Sequence, residues 1–125
     1  MEEKTKRIIA LCHEKNFENI SIYTLNESFI LHEKASPEYV LVDIENKDFV
    51  SYIGVLKRIR SKFPYTNISL LSIIATEQDL RLSFKEKLKI LSFIPYDTED
   101  WQTEIKNDLN FVLNQHYLRK NIGGS

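Results

Sequence analysis

The segment Tyr39-Val40-Leu41-Val42-Asp43-Ile44 constrains the fold more than any other part of the chain. A continuous apolar run this short reads as a strand buried on both faces, because a half-exposed strand would alternate. Two more runs read the same way: 68–74, broken by Ser69 and Ser72, and 89–94, which Pro95 ends. Strands buried on both faces need helices on both faces, and the segments between them supply the pattern. Residues 48–63 repeat Phe49, Val50, Ile53, Leu56 and Ile59 at helical spacing until Pro64. Residues 77–87 place Leu80, Phe84 and Leu88 on one side. A last helix starts near Asp97 or Thr98 and carries Glu99 and Asp100 in its first turn, as the helix dipole favours. It buries Trp101, Ile105, Leu109, Val112 and Leu113 and runs to about Tyr117.

The N-terminal third is less regular. Residues 5–15 read as a helix, with Ile8, Leu11, Cys12 and Lys15 recurring and Ile9 widening the stripe. Residues 19–25 hold Ile20, Ile22 and Thr24 around Tyr23 and read as a strand. Asn26 caps a short helix through Glu33, which Ser36-Pro37 breaks. Alternating strands and helices predict a parallel sheet wrapped by helices through right-handed crossovers. The expectation is one α/β domain over 1–120, with a sheet of four or five strands. Residues 121–125, ending Gly123-Gly124-Ser125, read as a linker or expression scar. Because the chain opens on a helix, four strands are visible.

Composition removes several function classes. The chain has 125 residues, 42% hydrophobic and 28% charged, with a formal charge of −1. That balance gives no general attraction to nucleic acid or anionic membrane. The basic cluster Lys57-Arg58-Ile59-Arg60-Ser61-Lys62 lacks interleaved aromatics and reads as a solvated helix face. No segment has the length and purity of a membrane span. Apart from the tail, Gly54 is the only glycine, so glycine-rich phosphate cradles are absent. The single cysteine, Cys12, fits a reducing cytoplasm and, on the apolar side of its helix, reads as core. His13, His32 and His116 lack metal-ligand spacing and read as surface residues.

Asp43 is the candidate site residue. An acid at the end of a buried parallel strand sits at the carboxyl edge of the sheet, where open α/β folds bind ligands. It is a candidate phosphoacceptor or metal ligand, set against the plainer reading of a turn cap. Magnesium wants more than one carboxylate or a phosphate, and only Glu45 or Asp48 is close enough in sequence to help.

Asp43 ends one apolar run, Ser72 ends the next, and Ile94-Pro95-Tyr96-Asp97 follows the third. In spacing, strand type and order this resembles the receiver domain of two-component response regulators, from Ile20 to about Leu113. The resemblance implies a flavodoxin-like sheet of order 2-1-3-4-5. It makes Asp43 the equivalent of the phosphoacceptor and Ser72, Leu91 and Ile94 the equivalents of the switch positions. The departures are chemical. The family's lysine before the proline is Ile94 here, and Leu91 stands where an aromatic is frequent. Ile73 stands where the family has Ala or Gly, and no acid pair follows a first strand. Residues 6–11 also resemble that first strand, but a parallel crossover needs a dozen or more residues and only 12–19 would remain.

These observations predict a degenerate receiver-like domain that is not an enzyme, has no cofactor and signals through protein contacts. The resemblance places such contacts on the fourth helix, fifth strand and fifth helix. The alternative is a working phosphoacceptor receiver that uses Asp43 with magnesium and an acid pair from outside these residues. A small flavodoxin-like enzyme rests on fold analogy alone. Loss of a first strand leaves three fates for the sheet: direct pairing of 19–25 with 39–44, an open edge, or an edge covered by a second copy. A homodimer is the expectation.

Overall fold

The computed structural model describes residues 3–24, 36–45, 48–72, 76–96 and 99–123. Helix α1 (Glu3–Cys12) leads through a 3-10 turn (Lys15–Phe17) into strand β1 (Ile22–Thr24). Strand β2 (Tyr39–Glu45) is followed by a second 3-10 turn (Phe49–Tyr52) and helix α2 (Ile53–Lys62). Strand β3 (Asn67–Ser72), helix α3 (Glu77–Lys85), strand β4 (Ile90–Pro95) and helix α4 (Trp101–Gly123) complete the order. The short helix expected after Asn26 lies outside the described residues, as do His32, Ile73 and Ile74.

The four strands form one parallel sheet in the order β1-β2-β3-β4. β1 pairs directly with β2, Ile22 opposite Tyr39 and Thr24 opposite Leu41. The strand expected two places from Asp43 is therefore its immediate neighbour, the first of the three fates. Direct pairing leaves no open edge beside β2.

Alternation along the strands divides the core in two. Tyr39, Leu41, Leu71 and Ile94 face α1 and α4, where they meet Ile8, Leu11, Trp101, Ile105, Leu109 and Val112. Val40, Val42, Ile44, Ile68 and Leu70 face α2, where they meet Leu56, Ile59, Phe63 and Leu88. Burial of a Leu or Ile side chain contributes about 1.5–3 kcal/mol, so each layer is held mainly by such residues.

Several local expectations are corrected. The helix expected over 48–63 begins with a 3-10 turn, and Val50 is 62% exposed. Phe49 takes the inward position and packs edge-on against Phe93, ring centroids 5.6 Å apart. α3 presents Leu82 and Ser83 inward and leaves Leu80 and Phe84 at the surface, because Leu80, Leu82 and Phe84 alternate and one helix face cannot bury all three. Its start is set by a capping box between Thr76 and Asp79. Its end is a left-handed Lys87 (φ 56), with Lys87 N–H donating to the Phe84 carbonyl and Leu88 N–H to that of Ser83. β4, expected to be buried on both faces, is an edge strand whose only fully buried residue is Ile94. Lys15, expected to extend the stripe of α1, is exposed because the helix stops at Cys12. α4 continues past Tyr117 to Gly123.

Candidate functional site

Asp43 sits near the carboxyl end of β2 on the face that carries α1. The first turn of α1 brings Lys4 to it, Nζ to Oδ2 at 2.7 Å, with the two side chains only 11% and 5% exposed. The same ammonium lies 4.7 Å from the centroid of the Tyr96 ring, a cation–π distance. Tyr96 follows β4, and its backbone N–H donates to the Ser72 carbonyl at 3.0 Å. Asp43, Ser72, Tyr96 and Lys4 thus gather at the carboxyl edge of the sheet, where sequence spacing places three of them. Lys4 is the member that sequence spacing missed, since its contact is made by an element far away in the chain.

The remaining candidates do not join this group chemically. Ile94 is 1% exposed and belongs to the core under α1 and α4, and Leu91 is partly buried in the same core. Asp48 is exposed and contributes its backbone carbonyl to Ser51 Oγ–H. Among the described residues, no three His, Cys, Asp or Glu side chains converge to hold a metal. Magnesium wants more than one carboxylate or a phosphate, and among the described residues Asp43 meets an ammonium at 2.7 Å instead. What this arrangement does chemically is neutralise Asp43. Removing one member of a buried pair costs about 3–5 kcal/mol, so the pair also fastens α1 to the sheet.

A second polar centre lies on the same face. Asp108, on the buried stripe of α4, is 7% exposed. Its Oδ2 accepts from the Tyr39 hydroxyl at 2.9 Å and from Ser69 Oγ–H at 2.7 Å, and its Oδ1 accepts from Ser92 Oγ–H at 2.7 Å. Three adjacent strands each give one hydroxyl to one carboxylate. Ser92 reaches it because β4 is bulged: Ile68 pairs with Ile90, but Ser69 pairs with Ser92. Without that extra residue Ser92 would share a face with Ile90 and point towards α2. Burial, and then the Asp108 charge, push the Tyr39 phenol well above its ordinary value, so it stays a donor. The sequence signal was an acid on a buried helical stripe, with a serine in each of two strands.

Glu104, one turn before Asp108, has a buried Oε2 with no hydrogen-bond partner. Burial, then Asp100 and Asp108, raise its carboxyl above the ordinary value. Cys12 is partly buried, and burial pushes its thiol up to about 11, which makes it unreactive at neutral pH. His116 Nδ1 lies 3.0 Å from both carboxylate oxygens of Glu38, and His13 is exposed. In the basic cluster Lys57 pairs with Glu86. Arg60 is not a solvated residue: its guanidinium donates to the carbonyls of Leu88, Phe63, Pro64, Thr66 and Lys89 at 2.7–3.3 Å.

The fold has a counterpart among solved structures. No family profile matches the chain, and no curated protein matches it. Among solved structures, the crystal structure of a protein named as pilus assembly-related, from Burkholderia pseudomallei, superposes with a TM-score of 0.56 at 11% identity. The match covers 82% of this chain and 94% of that one. At that identity the likeness shows the fold, a flavodoxin-like α/β arrangement of parallel sheet and flanking helices. No helix of the described residues is long and apolar enough to cross a membrane.

Proposed function

We propose that this chain is an atypical receiver-like domain that signals by protein contact, without phosphoryl chemistry at Asp43. The carrying observation is the Lys4–Asp43 pair. A phosphoacceptor carboxylate must present a free oxygen to the phosphoryl group, with cations placed to take up charge as it develops. Here the Asp43 side chain is only 5% exposed beneath the first turn of α1, with Oδ2 2.7 Å from the Lys4 ammonium, so a phosphoryl donor would meet a covered carboxylate. The position where a receiver's lysine would meet the phosphate is Ile94, turned into the core. The fold likeness to a pilus assembly-related protein supports a receiver-like architecture and is compatible with a role inside a larger protein assembly. The reading carries with it a cytoplasmic setting and protein partners in place of substrates.

The test is direct. The domain is incubated with acetyl phosphate, or with beryllium fluoride and magnesium, and followed by intact mass and NMR. The expected result is no adduct and no shift at Asp43. A stoichiometric phosphate adduct that disappears in Asp43→Asn would overturn the proposal and establish the phosphoacceptor alternative.

A further inference from the structure

Strand β1 is an edge of the sheet: β2 lies on one side and no described strand on the other. The Ser21 carbonyl accepts from Tyr39 N–H at 3.1 Å, which sets the backbone groups that face β2. Those groups alternate sides along a strand, so the N–H and C=O of Ile22 and Thr24 point outward. Such an edge is a template for another extended chain. β1 covers only Ile22–Thr24, so backbone pairing alone would hold a peptide weakly and a side-chain anchor has to supply the rest.

An anchor site adjoins this edge. A pocket of about 350 Å³ is lined by Ile9 and Cys12 of α1, Phe17 and Ile20 of the connection, and Ile22 of β1. No residue of β2 or α4 lines it, so it lies on the outer side of β1. Phe17 and Ile20 are buried, whereas Ile9, Cys12 and Ile22 are half-buried and leave apolar surface uncovered. The rim is acidic. Glu14 and Glu18 line the pocket, and among the described residues no Lys or Arg does. Glu14 reaches Lys106 at 3.4 Å, and Glu18 is exposed. His13 is the one lining side chain able to carry positive charge. The last turn of α1 also ends here, with no basic residue to offset the negative end of its dipole.

We propose that this edge and pocket receive an extended segment of a partner protein, which places an apolar side chain in the pocket and a lysine or arginine two residues away at Glu18. Side chains two apart in an extended chain share a face, so one segment presents both. Main-chain hydrogen bonds to Ile22 and Thr24 hold its backbone, and the pocket selects its sequence. The acidic rim rejects an acidic segment. The site lies on the far edge of the sheet from β4, away from the surface that the receiver resemblance implies. This rests on the reading that the domain works through protein contacts, and it names the chemistry of one partner.

The probes are acetylated heptapeptides with threonine at alternate positions, lysine at the second and sixth, and leucine, isoleucine or phenylalanine at the centre. They are titrated into the domain and followed by amide NMR. At least one is expected to bind, to shift the amides of Ile9, Cys12 and Ile22, and to slow hydrogen exchange at Ile22 and Thr24. Glutamate in place of both lysines, or serine at the centre, should weaken binding by about tenfold or more. Glu18→Lys should weaken the lysine peptides and restore binding of the glutamate ones, which also shows that the variant folds. Glu99→Lys, exposed before α4, leaves binding unchanged. The inference is overturned if none of the three binds up to millimolar peptide, if Glu18→Lys has no more effect than Glu99→Lys, or if amides shift without slowed exchange at Ile22 and Thr24. Asp43 labelling is read separately: a phosphate adduct strikes at the functional reading, whereas absent peptide binding without an adduct strikes only at this surface.

Discussion

At the residue scale, two carboxylates on one helix are treated in opposite ways. Asp108 is almost fully buried, yet three hydroxyls satisfy it. Glu104 is less buried, yet one of its oxygens has no partner. Glu104 should make stability fall as pH rises. Burial, followed by the charges of Asp100 and Asp108, raises the folded-state pKa of Glu104 above its ordinary 4.5. Between the unfolded and folded values the native state then holds more protons than the unfolded one, so stability declines as pH increases through that window. The groups facing Glu104 are Asp100 and Asp108 on α4, with Ser92 and Asn107 beside them in a separate pocket between α4 and β4. Glu104→Gln mimics the protonated acid. In dilute protein its urea midpoint should match wild type below the window and exceed it above. A difference that is constant with pH would show that Glu104 titrates normally.

At the element scale, Arg60 explains how the chain makes the turn before β4. α2 ends beside two connections, and one guanidinium donates to carbonyls of both, at Thr66 (2.7 Å) and at Leu88 (2.8 Å). It thereby steadies a backbone that passes through left-handed conformations at Lys87 and Lys89, φ 56 and 55. A lysine keeps the charge but loses the fork. Arg60→Lys should cost roughly 1.5–3 kcal/mol in urea unfolding, the range for hydrogen bonds to a charged group. A loss below about 0.5 kcal/mol, the ordinary level for a surface substitution, would return Arg60 to the solvated face. The basic cluster concealed this role because sequence periodicity records which residues are polar and not what a polar side chain reaches. The same distinction separates what was legible elsewhere. The runs at Tyr39 and Ile68, and the stripe of Trp101, Ile105, Leu109 and Val112, depend on local periodicity and stand in the core as read. The inward face of α3, the edge position of β4 and the bulge that turns Ser92 depend on neighbours distant in sequence. So does Lys4 at Asp43, which no spacing rule connects.

At the scale of the whole molecule, the sheet separates two layers that are fastened differently. The α2 layer sits on the interior of the sheet through a dense apolar contact. On the other face, α1 contributes buried Ile8 and Leu11 and the Lys4–Asp43 pair, and Glu14, just past its end, makes a looser contact with Lys106 at 3.4 Å. A short terminal helix whose first turn is tied to the sheet by a buried ion pair is a natural unit for local opening, whose free energy lies below that of global unfolding. Asp43→Asn removes the charge beneath the Lys4 ammonium while keeping the shape of the side chain. Native-state hydrogen exchange should then speed up in α1, whereas β3 and α2 change by much less. Trp101, 6% exposed and with its ring centroid 5.1 Å from that of Tyr96, lies in the core that α1 covers, and its fluorescence should shift to the red if α1 lifts. Equal loss of protection in α1, β3 and α2 would mean that the domain opens as a single unit and that the pair stabilises the whole fold. Acceleration confined to α1 would identify the buried carboxylate as the point where the N-terminal helix is latched to the sheet.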